Sequence, residues 1–160
     1  MKRPLVLMIS ALCVAAAAAA STEVDAWATA ISKQVGTDRQ IVFRFAKSFR
    51  QGFQRPSYPD RVILVWKYKS QSGMPSTAER EAMDRMEDLL QPNIENSSIL
   101  ALVSTGENLR EWIFYAKSEE QFLMSLNKAL AARQRFPIEV HAAPDPEWSS
   151  YERFRSEVRE

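Results

Sequence analysis

Two segments near the start of the chain alternate between apolar and polar side chains, which is typical of half-buried β-strands. The first is residues 27–32, where Trp27, Thr29 and Ile31 would share one side of the strand. The second is residues 40–49, "QIVFRFAKSF", and residues 36–39 would connect the two. The pattern therefore predicts an N-terminal β-hairpin.

The next segments predict a strand followed by a helix. Residues 61–69, "RVILVWKYK", begin apolar on both faces, which favours a central strand. Ser76 and Glu79 have the spacing of a capping box, a motif that opens helices. The apolar stripe that follows recurs at helical spacing and comprises Ala82, Met86, Leu89 and Leu90.

A hairpin, a second helix and a further strand follow. Gly106, Glu107 and Asn108 can adopt the positive φ angles of a hairpin turn between strands at 99–105 and 109–116. Ser118 and Gln121 predict a second capping box. The stripe of that helix comprises Phe122, Leu123, Leu126, Ala129 and Leu130. Residues 137–143 predict a strand whose Pro137 suits a strand start or a sheet edge.

The segment "DPEWSSYERFRSEV" predicts a short final helix, because Asp145 is a favoured N-cap residue and Pro146 a favoured first helical residue. Its apolar face would comprise Trp148, Tyr151, Phe154 and Val158. Two interpretations follow: the aromatic residues are buried beneath the helix, or they form one wall of a recognition groove. Burial is favoured, because aromatic side chains mostly serve burial.

The order of predicted elements is β-β, then β-α-β-β-α-β, then a helix. The six-element block is typical of the ferredoxin-like arrangement. We therefore predict an α+β fold, a ferredoxin-like β-α-β-β-α-β two-layer sandwich with an N-terminal β-hairpin and a short C-terminal helix.

Residues 1–20 have the pattern of a cleaved export signal. Lys2 and Arg3 precede an uncharged, alanine-rich stretch that is short and weakly hydrophobic for a membrane span. Cleavage is expected after Ala20, with an alternative after Ala26, which leaves one domain at 27–160. Leu12 before Cys13 disfavours a lipoprotein. The expected location is the periplasm or the exterior, with no integral membrane segment after signal removal.

Charge and composition disfavour several functions. The 160-residue chain has a formal net charge of +1, and removal of Lys2 and Arg3 makes it −1, so nucleic acid is not an expected partner. Cys13 is the only cysteine and His141 the only histidine, so we expect no metal site. No glycine-rich phosphate loop is present, and no cofactor is expected. Met83, Met86 and Met124 are expected to fill the core.

The stretch "REWIFY" contains the candidate binding residues. On a strand, Arg110, Trp112 and Phe114 would share one face and Glu111, Ile113 and Tyr115 the other. A solvated strand end is the simpler interpretation of the two charges. The functional alternative is a polar-aromatic pocket, since arginine beside aromatic rings is a common recognition pair. Its residues would be Thr105, Arg110, Glu111, Trp112, Trp148 and Tyr151.

Three stretches, "VWKYKSQSGMPS", "STGENLREWIFY" and "FPIEVHAAPDPEWSSY", together resemble the bacterial domain-of-unknown-function family 695 over residues 61–154. The matching residues are Trp66, Tyr68, Gly73, Pro75, Thr105, Gly106, Arg110, Glu111, Trp112, Phe114, Tyr115, Asp145, Pro146, Trp148 and Tyr151. That family is similar to the ribonuclease E inhibitor B group, whose domain is ferredoxin-like. The resemblance implies this fold and no activity. The inhibitor group binds a cytosolic nuclease, which an exported protein would not meet, so the inhibitor function is not expected here, while a protein-binding role stays open.

Two functions remain. The favoured one is an exported, non-catalytic binding or regulatory module that uses strand and C-terminal helix aromatics, with a protein or small ligand as partner. The alternative is a carboxylate-dependent enzyme with Glu111 or Asp145 as general acid or base. That alternative requires acidic groups that converge in one pocket.

Overall fold

A computed structural model describes residues 23–131 and 135–158. The predicted succession of elements is confirmed, and the fold is α+β. The strands are β1 (Val24–Lys33), β2 (Gln40–Phe49), β3 (Asp60–Lys67), β4 (Ser98–Gly106), β5 (Leu109–Ala116) and β6 (Ile138–Pro144). The helices are α1 (Thr77–Ile94), α2 (Glu119–Leu130) and α3 (Ser149–Glu157), with a 3-10 turn at Arg55–Ser57.

All six strands form one antiparallel sheet in the order β1-β2-β4-β5-β3-β6. The predicted central strand β3 lies between β5 and β6. The N-terminal hairpin joins the sheet because β2 pairs with β4, so β1 and β6 are the two edges. Edge strands expose unpaired backbone N–H and C=O groups on their outer side.

Helices α1 and α2 cover one face of the sheet, which we call the two-helix face. Met83, Met86 and Leu90 of α1 are buried there, together with Phe122 and Leu126 of α2. From the sheet, this core receives Val62, Leu64, Trp66, Leu100, Val103, Trp112 and Phe114. The alternation of β5 thus places Trp112 and Phe114 under the helices, as their spacing predicted.

Helix α3 covers part of the opposite face, which we call the α3 face. Tyr115 of β5 is fully buried there beneath Trp148 and Tyr151, with Ile99 and Ala101 of β4. A β-bulge between Leu100 and Leu102 interrupts the β4–β5 pairing. The prediction of two layers is therefore incomplete, because central strands that are apolar on both faces need cover on both.

Three further expectations need correction. The second capping box is half formed: the Ser118 side chain accepts from the Gln121 N–H without the reciprocal contact that Ser76 and Glu79 make. Met124 is 59% exposed and does not fill the core. Helix α3 begins at Ser149 rather than at Pro146, because Trp148 adopts a left-handed conformation before it. Residues 1–20, the predicted export signal, lie outside the described residues.

The β4–β5 turn is as predicted, and its first residue must be glycine. Glu107 and Asn108 both have positive φ, and Gly106 has φ +154°. A Cβ at Gly106 would lie 2.5 Å from the Gln40 carbonyl oxygen and 2.9 Å from the Ile41 Cα. Those are backbone atoms of β2, so they can yield only if the β2–β4 pairing shifts.

We expect Gly106→Ala to lower the free energy of unfolding by about 3 kcal/mol, because backbone strain and a backbone clash act together. The matched control is Gly52→Ala, where φ is +86° but nothing lies within 4 Å of the added carbon. The free energy of unfolding of that control should fall by only about 1 kcal/mol. Urea denaturation of both variants measures the difference, and equal losses would contradict the close approach of β2 and β4.

Candidate functional site

The Asp145 carboxylate organises the junction between the sheet and α3. Its Oδ1 accepts from the Ser149 N–H at 2.7 Å, and its Oδ2 accepts from the Ser150 N–H at 3.1 Å. The Tyr115 hydroxyl donates to the same Oδ2 at 2.8 Å. Asp145 therefore satisfies the first N–H groups of α3 from outside the helix, and it also binds that helix to β5.

The protonation states of this pair follow from burial and hydrogen bonding. Burial raises the pKa of Asp145, but the Ser150 and Ser149 N–H groups and the Tyr115 hydroxyl outweigh it, so the pKa lies below its usual value. Burial and the hydrogen bond to Asp145 raise the pKa of Tyr115 well above its usual range. The carboxylate is therefore a stable acceptor and the phenol a stable donor at neutral pH.

Aromatic stacking fixes α3 in the same place. The Trp148 ring stacks on the Tyr115 ring at a centroid distance of 4.0 Å, and its Nε1 donates to the Tyr58 carbonyl at 3.0 Å. The Tyr151 N–H donates to the Tyr115 hydroxyl at 3.3 Å, and the Tyr151 hydroxyl donates to the Ala46 carbonyl. Every polar group of this cluster thus serves the attachment of α3.

The six predicted binding residues do not form one pocket. Thr105 lies opposite Arg110 in the β4–β5 register, and Arg110 forms an ion pair with Asp84 of α1 at 2.9 Å. Trp112 is fully buried on the same face and donates to Glu87 at 2.8 Å. The other three predicted residues, Glu111, Trp148 and Tyr151, belong to the α3 face, where Trp148 and Tyr151 are buried.

The two carboxylates of the enzyme alternative have different surroundings. Glu111 accepts from the Ser104 hydroxyl at 3.2 Å, while Asp145 is bound to Tyr115 and α3. Glu111 and Tyr115 are four residues apart on one strand, which corresponds to about 13 Å. The geometry therefore offers no shared substrate position for Glu111 and Asp145.

A groove of about 630 Å³ lies on the α3 face between the edge strand β1 and the C-terminal half of α3. Ala28 and Ala30 of β1 lie opposite Phe45 and Phe43 of β2, and these small residues leave the groove open. Phe154 of α3 packs on both phenylalanines, with ring centroids 5.0 and 5.2 Å away. We call this site the β1–α3 groove.

Sequence reasoning found only part of this groove. The periodicity of the sequence places Phe154 on the apolar face of the last helix, and the alternation in residues 40–49 places Phe43 and Phe45 on one side of a strand, but no local pattern shows that the three meet. The alternation of alanine with larger residues in "AWATAIS" was the available signal, since small residues on one face leave room beside a sheet. Knowing that Ala28 and Ala30 face Phe45 and Phe43 requires the β1–β2 register.

Within residues 23–131 and 135–158, no cluster of three or more His, Cys, Asp or Glu side chains could hold a metal ion. Within the same residues, no helix has both the length and the apolar character to span a bilayer.

Comparison with known protein families gives a match over most of the chain. A family model described as a family of unknown function, DUF695, matches residues 25–155. No curated protein and no solved structure matches the chain.

We expect Asp145→Asn to lower the free energy of unfolding by about 2–4 kcal/mol, because the α3 N–H groups and Tyr115 lose a charged acceptor. Asp38→Asn, at an exposed turn residue, is the control and should change stability little.

The effect should depend on pH. Because the folded pKa of Asp145 is lowered, its contribution is complete above the ordinary Asp pKa of about 4 and is lost as pH falls through the lower folded value. Urea denaturation at pH 7 and in the acid range should therefore show a gap between wild type and Asp145→Asn that narrows in acid. A constant gap would contradict the assigned role of the charge.

Proposed function

Because the chain belongs to the DUF695 family of unknown function, we propose a function from its geometry: an exported, non-catalytic module that binds an extended segment of a partner protein in the β1–α3 groove. The observation that carries this proposal is an edge strand that runs beside an open, phenylalanine-lined groove. Both features are what strand addition to a sheet requires.

The edge strand supplies the main-chain part of recognition. Among the residues that the structure describes, β1 pairs with β2 alone, so its outer N–H and C=O groups can bind a further strand. From Trp27 to Lys33 its pairing with β2 is regular, and a continuous template results. An added strand would form hydrogen bonds that do not depend on the partner's side chains.

The groove supplies the side-chain part. Alternate side chains of an added strand would point toward Phe43 and Phe154, which are only partly buried. We propose that the binding role predicted for strand and C-terminal helix aromatics belongs to Phe43 and Phe154. Trp148 and Tyr151 instead hold α3 in position.

We infer that the core of the domain follows the ferredoxin-like β-α-β-β-α-β arrangement. The order β4-β5-β3-β6 supports it, since β5 separates β3 from β4, the two strands that α1 connects. In this view the hairpin β1–β2 and helix α3 are additions to the core. The groove lies between these two additions.

Export to the periplasm or the exterior is supported by the pattern of residues 1–20. Of the two predicted cleavage positions, the one after Ala20 leaves β1 intact. Cleavage after Ala26 would remove Val24, which is 6% exposed and pairs with Phe49.

We expect peptides selected from a random display library on the purified, exported protein to have apolar residues at alternate positions and to bind in the groove. Ala30→Arg should abolish their binding, because the new side chain would fill the groove opposite Phe43. Val35→Arg, at a fully exposed residue of the β1–β2 turn, adds the same charge and should bind normally.

A selected peptide can be N-methylated at its odd-numbered or at its even-numbered backbone nitrogens. One of these two peptides should no longer bind, since only one set of N–H groups faces β1. Isothermal titration calorimetry measures each case. Peptides that bind Ala30→Arg as tightly as wild type, or a failure to select any peptide, would contradict the proposal.

Export and cleavage can be tested in a Gram-negative host. Expression of residues 1–160 should yield a periplasmic protein whose N-terminal sequence begins at Ser21. Replacement of Ala18 and Ala20 by leucine should retain the unprocessed chain in the membrane fraction, because signal peptidase needs small residues there. A cytoplasmic protein that retains Met1 would contradict export.

A further inference from the structure

A second cavity, of about 550 Å³, lies on the two-helix face. It is bounded by Arg85 and Leu89 of α1, by Trp66 of β3 and by residues 135–137, which precede β6. We call it the Arg85–Arg135 cavity. Its volume is within the range of small-molecule sites, and the sheet separates it from the β1–α3 groove.

The inner part of this cavity is apolar. Trp66 lines it and is 7% exposed. The Phe136 ring lies 5.9 Å from the Trp66 ring at an angle of 52°, so the two rings form a corner rather than a stack. Leu89 and Pro137 complete walls that would accept a hydrophobic body.

The rim of the cavity is positively charged. Arg85 and Arg135 both line it and are exposed, and neither forms an ion pair or hydrogen bond among residues 23–131 and 135–158. The other arginines that reach α1 are paired, Arg110 with Asp84 and Arg44 with Glu87. Glu81 and Asp88 flank Arg85 along the helix, but neither pairs with it in the part of the chain described.

We propose that the Arg85–Arg135 cavity binds a small organic carboxylate with an aromatic or alkyl body. The apolar body would lie in the corner between Trp66 and Phe136, and the carboxylate would lie between the two guanidinium groups, whose planar N–H donors match its geometry. This site is additional to the proposed peptide groove. The two sites are independent of each other, because they lie on opposite faces of the sheet.

The test uses three carboxylates, 4-phenylbutyrate, indole-3-acetate and decanoate, with 4-phenylbutanol as the uncharged control. Each is titrated at millimolar concentration while the Trp66 indole N–H signal is followed by NMR, and Trp66→Phe provides its assignment. At least one carboxylate should shift that signal. The alcohol that matches phenylbutyrate should bind about tenfold more weakly, the loss expected for a charge-assisted hydrogen bond.

Arg85→Gln and Arg135→Gln should each weaken carboxylate binding about tenfold, and neither should change the fold, because both side chains are exposed. Arg80→Gln, at an exposed residue of α1 outside the cavity, is the matched control and should bind as wild type does. The proposal is overturned if no carboxylate shifts the Trp66 signal. It is also overturned if the double variant Arg85→Gln/Arg135→Gln binds the carboxylate as tightly as wild type does. The same holds if wild type binds the alcohol as tightly as the carboxylate.

Discussion

The hydrogen bonds of the Asp145 carboxylate determine how the second face of the sheet is closed. β5 is apolar on both faces, so burial of Trp112 under α1 and α2 leaves Tyr115 on the other face in need of cover. Helix α3 provides that cover, and the Asp145 carboxylate holds it there by accepting hydrogen bonds from the Tyr115 hydroxyl and from the first N–H groups of α3. Because both oxygens are used in this way, the helix has one position on the sheet. The groove depends on that position.

The aromatic residues of α3 and the sheet divide into two groups with different roles. Trp148 and Tyr151, near the start of α3, are buried against Tyr115 and have their polar atoms satisfied within the protein. Phe154, one turn later, extends beyond this core and contacts Phe43. Burial is greatest where the helix is bound to the sheet and decreases toward its C-terminal end. A helix that is firmly attached at one end can thus present a preformed apolar surface at the other.

The two proposed sites rely on different physical interactions. The β1–α3 groove offers unpaired main-chain groups and phenylalanine rings, which suit a polypeptide and discriminate weakly by charge. The Arg85–Arg135 cavity offers two guanidinium groups and the corner formed by Trp66 and Phe136, which suit a small anion. Neither site requires a metal, a nucleophile or a general base. Both surfaces are thus consistent with the binding function that we propose.

The amino-acid sequence was sufficient to predict the order of the elements, the capping box at Ser76, the turn at Gly106 and the faces of β5, because strand and helix periodicities follow from local backbone geometry. It could not place the hairpin β1–β2 in the main sheet or α3 on its opposite face. It predicted a local N-cap role for Asp145 but not the hydrogen bond that the carboxylate accepts from the Tyr115 hydroxyl, 30 residues earlier. These points depend on strand pairing and helix packing in the folded chain, and so does the position of the groove and of the cavity. Strand order and cavities arise from contacts between distant segments, and no local period records which segments will meet.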